Sequence, residues 1–93
     1  MLTLDAQLRI PTHVTSSFVD EDAVLLDTRI NQYFALEDVA SRVWKLLKGG
    51  KGLREIHQIL HDEYAVQPAE LERDMLELVG QLMENGLVEL VEA

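Results

Sequence analysis

At Glu37 the hydrophobic pattern of the chain changes period, and this constrains the fold more than any other feature. Before Glu37, short apolar runs alternate with turn residues; after it, apolar residues recur three and four apart. "AVLLD" at 23–27 is a compact run of strand length, and "QYFAL" at 32–36 is aromatic-rich and strand-like. "TRIN" joins them, with Asn31 suited to a left-handed turn position. Upstream, "LRIPTHVTSSFV" from Leu8 to Val19 mixes β-branched and apolar residues around Pro11. A three-stranded antiparallel meander is the economical reading. So small a sheet is marginal alone and must lean on something else.

Helices supply that support. Val39, Val43, Trp44, Leu46 and Leu47 form an apolar stripe, with Glu37 and Asp38 at its start, Lys45 and Lys48 near its end, and Gly49-Gly50 as the stop. A second helix is predicted from Leu53 to about Tyr64, with Leu53, Ile56, Ile59 and Leu60 on one side. Pro68 opens a third and longest one, carrying Leu71, Met75, Leu78, Val79 and Leu82 and closed by Asn85-Gly86. "LVELVE" beyond it reads as a short strand or a docked tail. The predicted fold is therefore α+β and winged-helix-like, a three-stranded antiparallel sheet followed by three helices. The boundaries expected are a flexible N-terminus over 1–7, one domain over 8–90 and a tail over 91–93.

A winged-helix order raises DNA binding, which the charges oppose. Of the net charge of −9, residues 1–36 carry five acids and two bases, and residues 37–52 carry two acids and four bases. Residues 53–93 carry ten acids and two bases, for −8. The third helix offers only Arg73 against Glu70, Glu72, Asp74, Glu77 and Glu84, the wrong sign for phosphate neutralisation. No nucleic-acid partner is expected.

Catalysis finds no better footing. "LKGGKGL" lacks the spacing of a phosphate loop and follows a helix rather than a strand. His57 and His61 share a helix face, but Gln58 stands where a zinc protease needs its glutamate, and no third ligand is evident. Ser16 and Ser17 lie outside any nucleophile elbow. No enzyme activity, metal or cofactor is expected. The chain has no cysteine, no signal-like start and no run approaching a membrane span, which suits the cytoplasm.

The order of elements and their landmark residues resemble the PqqD-like proteins, also called RiPP recognition elements, over about residues 8–90. The landmarks are Asp27 ending an apolar strand, Tyr33-Phe34 and Leu36 in the next, Trp44 before Gly49, Asp74 inside the last helix, and Gly86-Leu87 after it. Asn31 stands where the family's turn usually has glycine, Glu37 where a helix cap is often asparagine, and Gln67 where one is often aspartate or serine. The two missing caps weaken helix starts by about a kcal/mol or less each.

The resemblance implies a non-catalytic protein that binds the leader of a ribosomally made precursor peptide and presents it to processing enzymes. The leader would add an antiparallel strand to the third strand of the meander, beside the third helix. Carried over, that cleft falls on Gln32, Tyr33, Phe34, Ala35 and Leu36, facing Leu71, Asp74, Met75 and Leu78. By alternation Phe34 and Leu36 share the core face, and Met75 and Leu78 belong to the helical stripe. Tyr33 and Asp74 are the expected groove contacts, Asp74 as a rim charge for a basic group.

The chain is most similar to the stand-alone leader-binding proteins of lasso-peptide biosynthesis, whose processing partner is a cysteine-protease-type leader peptidase. Leaders of that class commonly carry a Tyr-x-x-Pro core and basic residues, which would suit the acidic C-terminal half. The alternatives are a PqqD-type chaperone for a radical-SAM enzyme, a winged-helix transcription factor, or an acidic adaptor.

Overall fold

The computed structural model describes residues 2–91. Eight elements follow in order: β1 (Leu8–Arg9), β2 (Val14–Val19), β3 (Asp22–Asp27), β4 (Gln32–Leu36), α1 (Asp38–Lys48), α2 (Leu53–Glu63), α3 (Pro68–Glu84) and β5 (Glu89–Leu90). The expected architecture of a three-stranded meander followed by three helices is present, with strand order β2-β3-β4 and every pairing antiparallel. The period change at Glu37 marks the boundary between the two layers, since α1 begins one residue later.

The stretch "LVELVE", expected as a short strand or a docked tail, is both over its described residues 87–91. Leu90 and Glu89 pair with Leu8 and Arg9, so the two ends of the chain close a second, two-stranded sheet. Val91 N–H extends it by donating to the Gln7 carbonyl at 2.8 Å. Residues 92–93 of the expected tail lie outside the described residues.

The N-terminal segment, expected to be flexible, is packed from Leu2 onward. Leu4 is buried among helical side chains, with Leu2, Ala6 and Leu8 against the same cluster, and Asp5 accepts from Arg54 Nε at 2.9 Å. The physical reason is that α1 and α2 leave an apolar surface that residues 2–8 cover, and burying one leucine there contributes about 2 kcal/mol.

Two clusters form the core. Leu4, Val43, Leu53, Ile56, Leu60, Leu71, Met75 and Val79 fill the space between helices. Val14, Ala23, Leu25, Trp44, Leu82, Leu87 and Val88 fill the space beneath the sheet. Val43 and Trp44 are neighbours in α1, and Val79 and Leu82 are one turn apart in α3, so each helix reaches into both clusters. These two helices fix the sheet against the bundle.

Turn chemistry agrees with composition. Asn31 has φ +54, supplying the left-handed turn where the family usually has glycine. Neither Glu37 nor Gln67 caps its helix with a side-chain hydrogen bond, as their residue types suggest. The other end of α3 is better secured. Gly86 N–H donates to Met83 O at 3.0 Å and Leu87 N–H to Leu82 O at 2.9 Å, a Schellman motif with φ +71 at Gly86. Leu87 is buried there against the sheet cluster that also holds Leu82.

Candidate functional site

The meander has two outer edges, and the hydrogen-bond phase says which groups each edge displays. In an antiparallel ladder, the N–H and C=O of one residue point to the same side, and successive residues alternate. The two-residue turn Asp20-Glu21 makes Val19 and Asp22 a hydrogen-bonded pair. At the far end, Thr28 N–H donates to His13 O at 2.8 Å, one step beyond the Val14–Asp27 pair and in the same phase. Even-numbered residues of β3 therefore bond toward β2, and Ala23, Leu25 and Asp27 bond toward Leu36, Phe34 and Gln32 of β4. The consequence is specific. Tyr33 and Ala35 turn their main-chain N–H and C=O outward, away from the sheet.

No charge or proline guards this edge, because β4 reads QYFAL. Phe34 and Leu36 point inward and pack against the sheet cluster. Tyr33 and Ala35 share the opposite, outer face with Leu26 and Val24, their register partners, and Tyr33 is 66% exposed. Tyr33 is expected from the resemblance as a groove contact facing the third helix. In the structure its side chain lies on the sheet face away from α3, and the edge receives its backbone instead.

The helical wall is assembled as expected but faces a different neighbour. Leu71, Asp74, Met75 and Leu78 line one pocket of about 320 Å³. The remaining lining comes from Val39, Ala40 and Val43 of α1, with Tyr64 and Val66 of the α2–α3 connection. None of Gln32 to Leu36 lines it. Leu78 is the bridge, because it packs against both core clusters and so touches the side that holds Phe34 and Leu36. The pocket thus opens beside the C-terminal end of β4, where the chain passes through Glu37 into α1.

Among the described residues lining this pocket, Asp74 alone carries a charge. Its carboxylate is 61% exposed and 3.9 Å from Arg73 Nε, too loose an ion pair to occupy it. Met75 is 1% exposed and Leu71 is 4% exposed, so both are core residues that also form the pocket floor. Val39 and Val43 were visible in the sequence only as part of a core stripe, and Ala40 lay outside it. Val66 had a weak signal, in the short apolar run Tyr64-Ala65-Val66 between two helices.

A larger hollow of about 660 Å³ lies between the Asp20-Glu21 turn and α1. Among the described residues, its one ion pair joins α1 to the end of α2. Arg42 reaches Glu63 by two bonds, at 2.7 and 3.1 Å, which holds the Glu63 carboxyl below its usual range. Ser41 Oγ donates to Glu21 O at 2.6 Å. The histidines of α2 are likewise engaged, stacked on each other at 6.5 Å, with His57 Nε2 2.9 Å from Pro68 O. Among the described residues, no helix is long and apolar enough to cross a membrane.

The family model for coenzyme PQQ synthesis protein D (PqqD) matches residues 22–88. Two solved structures are similar over almost the whole chain. One, described as TbiB1 in complex with the TbiA(beta) leader peptide, is 34% identical with a TM-score of 0.86, covering 91% of this chain and 99% of that one. The other, lasso peptide synthetase B1 complexed with the leader peptide, is 33% identical with a TM-score of 0.81, covering 88% and 96%. No curated protein sequence gives a significant match.

Proposed function

The chain belongs to the PqqD family, and from that premise we propose that it is a non-catalytic binding protein for the leader of a ribosomally made precursor peptide. It captures the leader as an added strand on β4 and delivers it to a processing enzyme of lasso-peptide biosynthesis. The observation that carries this reading is the unguarded β4 edge, with Tyr33 and Ala35 directed outward, ending beside an apolar pocket. Main-chain bonds along the edge supply affinity for any extended peptide, and the pocket supplies choice among them. Both solved structures it resembles hold leader peptides.

The geometry also gives the peptide a direction. An antiparallel strand on β4 starts near Leu36 and runs toward Gln32. Its N-terminal side then meets the pocket, and its C-terminal side leaves past the 28–31 turn. An apolar side chain near the start of the recognised segment enters the pocket, with a basic neighbour beside Asp74. The downstream part, which the enzyme must reach, exits on the opposite side.

A PqqD-type role beside a radical-SAM enzyme fits the same fold, and the family model's description favours it. The lasso assignment rests on similarity that extends beyond residues 22–88. Fluorescence anisotropy with labelled leaders from open reading frames beside the gene decides the matter. The expected result is sub-micromolar binding to a lasso precursor leader. No binding to any neighbouring peptide at tens of micromolar protein would sink the proposal.

A further inference from the structure

Both walls of the cleft meet at one polar junction, remote from the pocket. Asp27 ends β3 with its side chain wholly buried, yet it is a carboxylate. Arg29, two residues on in the turn that leads to β4, satisfies it. The Arg29 N–H donates to Oδ1 at 3.0 Å, Nε to Oδ1 at 3.4 Å and Nη2 to Oδ2 at 3.2 Å. The same guanidinium lies against Gly86, the residue that terminates α3. A Cβ built on Gly86 would sit 2.9 Å from Arg29 Nη2, so any larger residue would push the guanidinium aside, and φ +71 independently favours glycine here. His13 closes the junction: its Nε2 is 3.2 Å from Gly86 O, and its own carbonyl accepts from both N–H and Oγ1 of Thr28 at 2.8 Å.

Asp27 and Gly86 are 59 positions apart in the chain. Arg29 explains why they belong together. One is the anchor of the hairpin that carries β4, and the other is the end of the helix that carries Leu71 to Leu78. We propose that Arg29 is a positioning residue for peptide capture: by holding buried Asp27 and packing against Gly86, it fixes how far β4 stands from α3 at the end where the peptide leaves. It touches neither the pocket nor the outward groups of Tyr33 and Ala35. A planar, always-charged fork suits the role, because it can hold a carboxylate with two nitrogens and lie flat against a glycine. This inference rests on the strand-addition reading for its effect on binding, but not for its effect on the free protein.

The test is Arg29→Met, which keeps the length of the stem and removes the fork, with Arg29→Lys and Gly86→Ala beside it. In the free protein, amide chemical shifts and hydrogen exchange are followed at Gln32–Leu36 and at Leu78–Leu82. Leader affinity is measured in parallel by anisotropy. Arg29→Met is expected to lower protection in both segments and to weaken the leader by about tenfold, mainly through faster release. Arg29→Lys should recover part of this. Gly86→Ala should weaken binding less in an Arg29→Met background than in the wild type, because the clash is relieved. A folded Arg29→Met protein with unchanged shifts and protection at β4 and α3 would overturn the proposal, whatever the peptide does. Loosened walls in a protein whose wild type binds no leader would leave the positioning role standing and remove the leader-binding reading instead.

Discussion

The two outer edges of the meander are built from similar material and treated differently. β2 reads VTSSFV and β4 reads QYFAL, and neither strand contains a charge or a proline. On β2 the outward groups belong to Val14, Ser16 and Phe18, by the same phase that turns Tyr33 and Ala35 outward on β4. The last turns of α1 attend to that edge: Lys48 Nζ donates to Ser16 O at 3.4 Å, and Lys45 sits 5.9 Å over the Phe18 ring. Nothing comparable attends β4 among the described residues. Folded proteins usually blunt free edges, often with lysine. An edge blunted by lysines and one left bare in the same sheet separate structural closure from reserved capacity, and β4 is the reserved one.

Proline substitution breaks this comparison most sharply, because it removes one N–H at a chosen phase. Phe34→Pro deletes a bond to Leu25 inside the ladder and is expected to destabilise the protein by about 3 kcal/mol or more in urea unfolding. Ala35→Pro deletes only an outward donor. It should leave a folded protein, by circular dichroism, that binds leader roughly tenfold to a hundredfold more weakly. If both variants unfold alike, the phase assigned to β4 is wrong.

The pocket is the next lever. Ala40 is half-buried and lines it, so Ala40→Phe should fill it and reduce leader affinity about tenfold in anisotropy titrations, with a smaller effect on a peptide lacking its apolar anchor. An equal loss for both peptides would mean that the edge alone does the binding. Asp74→Asn should have a weaker effect, at most about fivefold, that shrinks further in high salt because the group is exposed.

Acid sharpens the contrast between buried and exposed carboxylates. Arg29 donates to Asp27 and holds its carboxyl below the usual value of 3.8. The folded state therefore binds fewer protons than the unfolded chain, and stability rises with pH through this window. The contribution is fully present above about pH 5 and is lost as pH falls below about 4 toward the folded value. Thermal melts of Asp27→Asn should be flatter between those limits than melts of the wild type. The smallest effect belongs to the blunted edge: Lys48→Met should leave leader affinity within about twofold, and gel filtration is the more sensitive readout, through self-association at β2.

Much of this was legible in the sequence, for reasons that differ by region. The meander and the three helices were readable because each carries a period over five or more residues, and Gly49-Gly50, Pro68 and Asn85-Gly86 mark their ends. The pairing of Leu8-Arg9 with Glu89-Leu90 was not, because two-residue strands have no period and their partners lie at opposite ends of the chain. Leu4 escaped for the same reason. At the candidate site, the α3 residues were named and do come together. Val39, Ala40 and Val43 were missed as pocket residues because one side of a helix can serve core and cavity at once. Tyr33 was named for its ring, whereas the structure turns its ring away and offers its backbone.

Only two residues of β4 face outward, so the template amounts to two donors and two acceptors, none of them dependent on a side chain. A bound strand would meet it at every second residue. Methylating peptide nitrogens one at a time should then be harmless at one set of alternate positions and ruinous at the other. Replacing the side chains at positions 33 and 35 by anything but proline leaves this template untouched, so the protein can drift in sequence there while keeping the same capacity to capture extended chains.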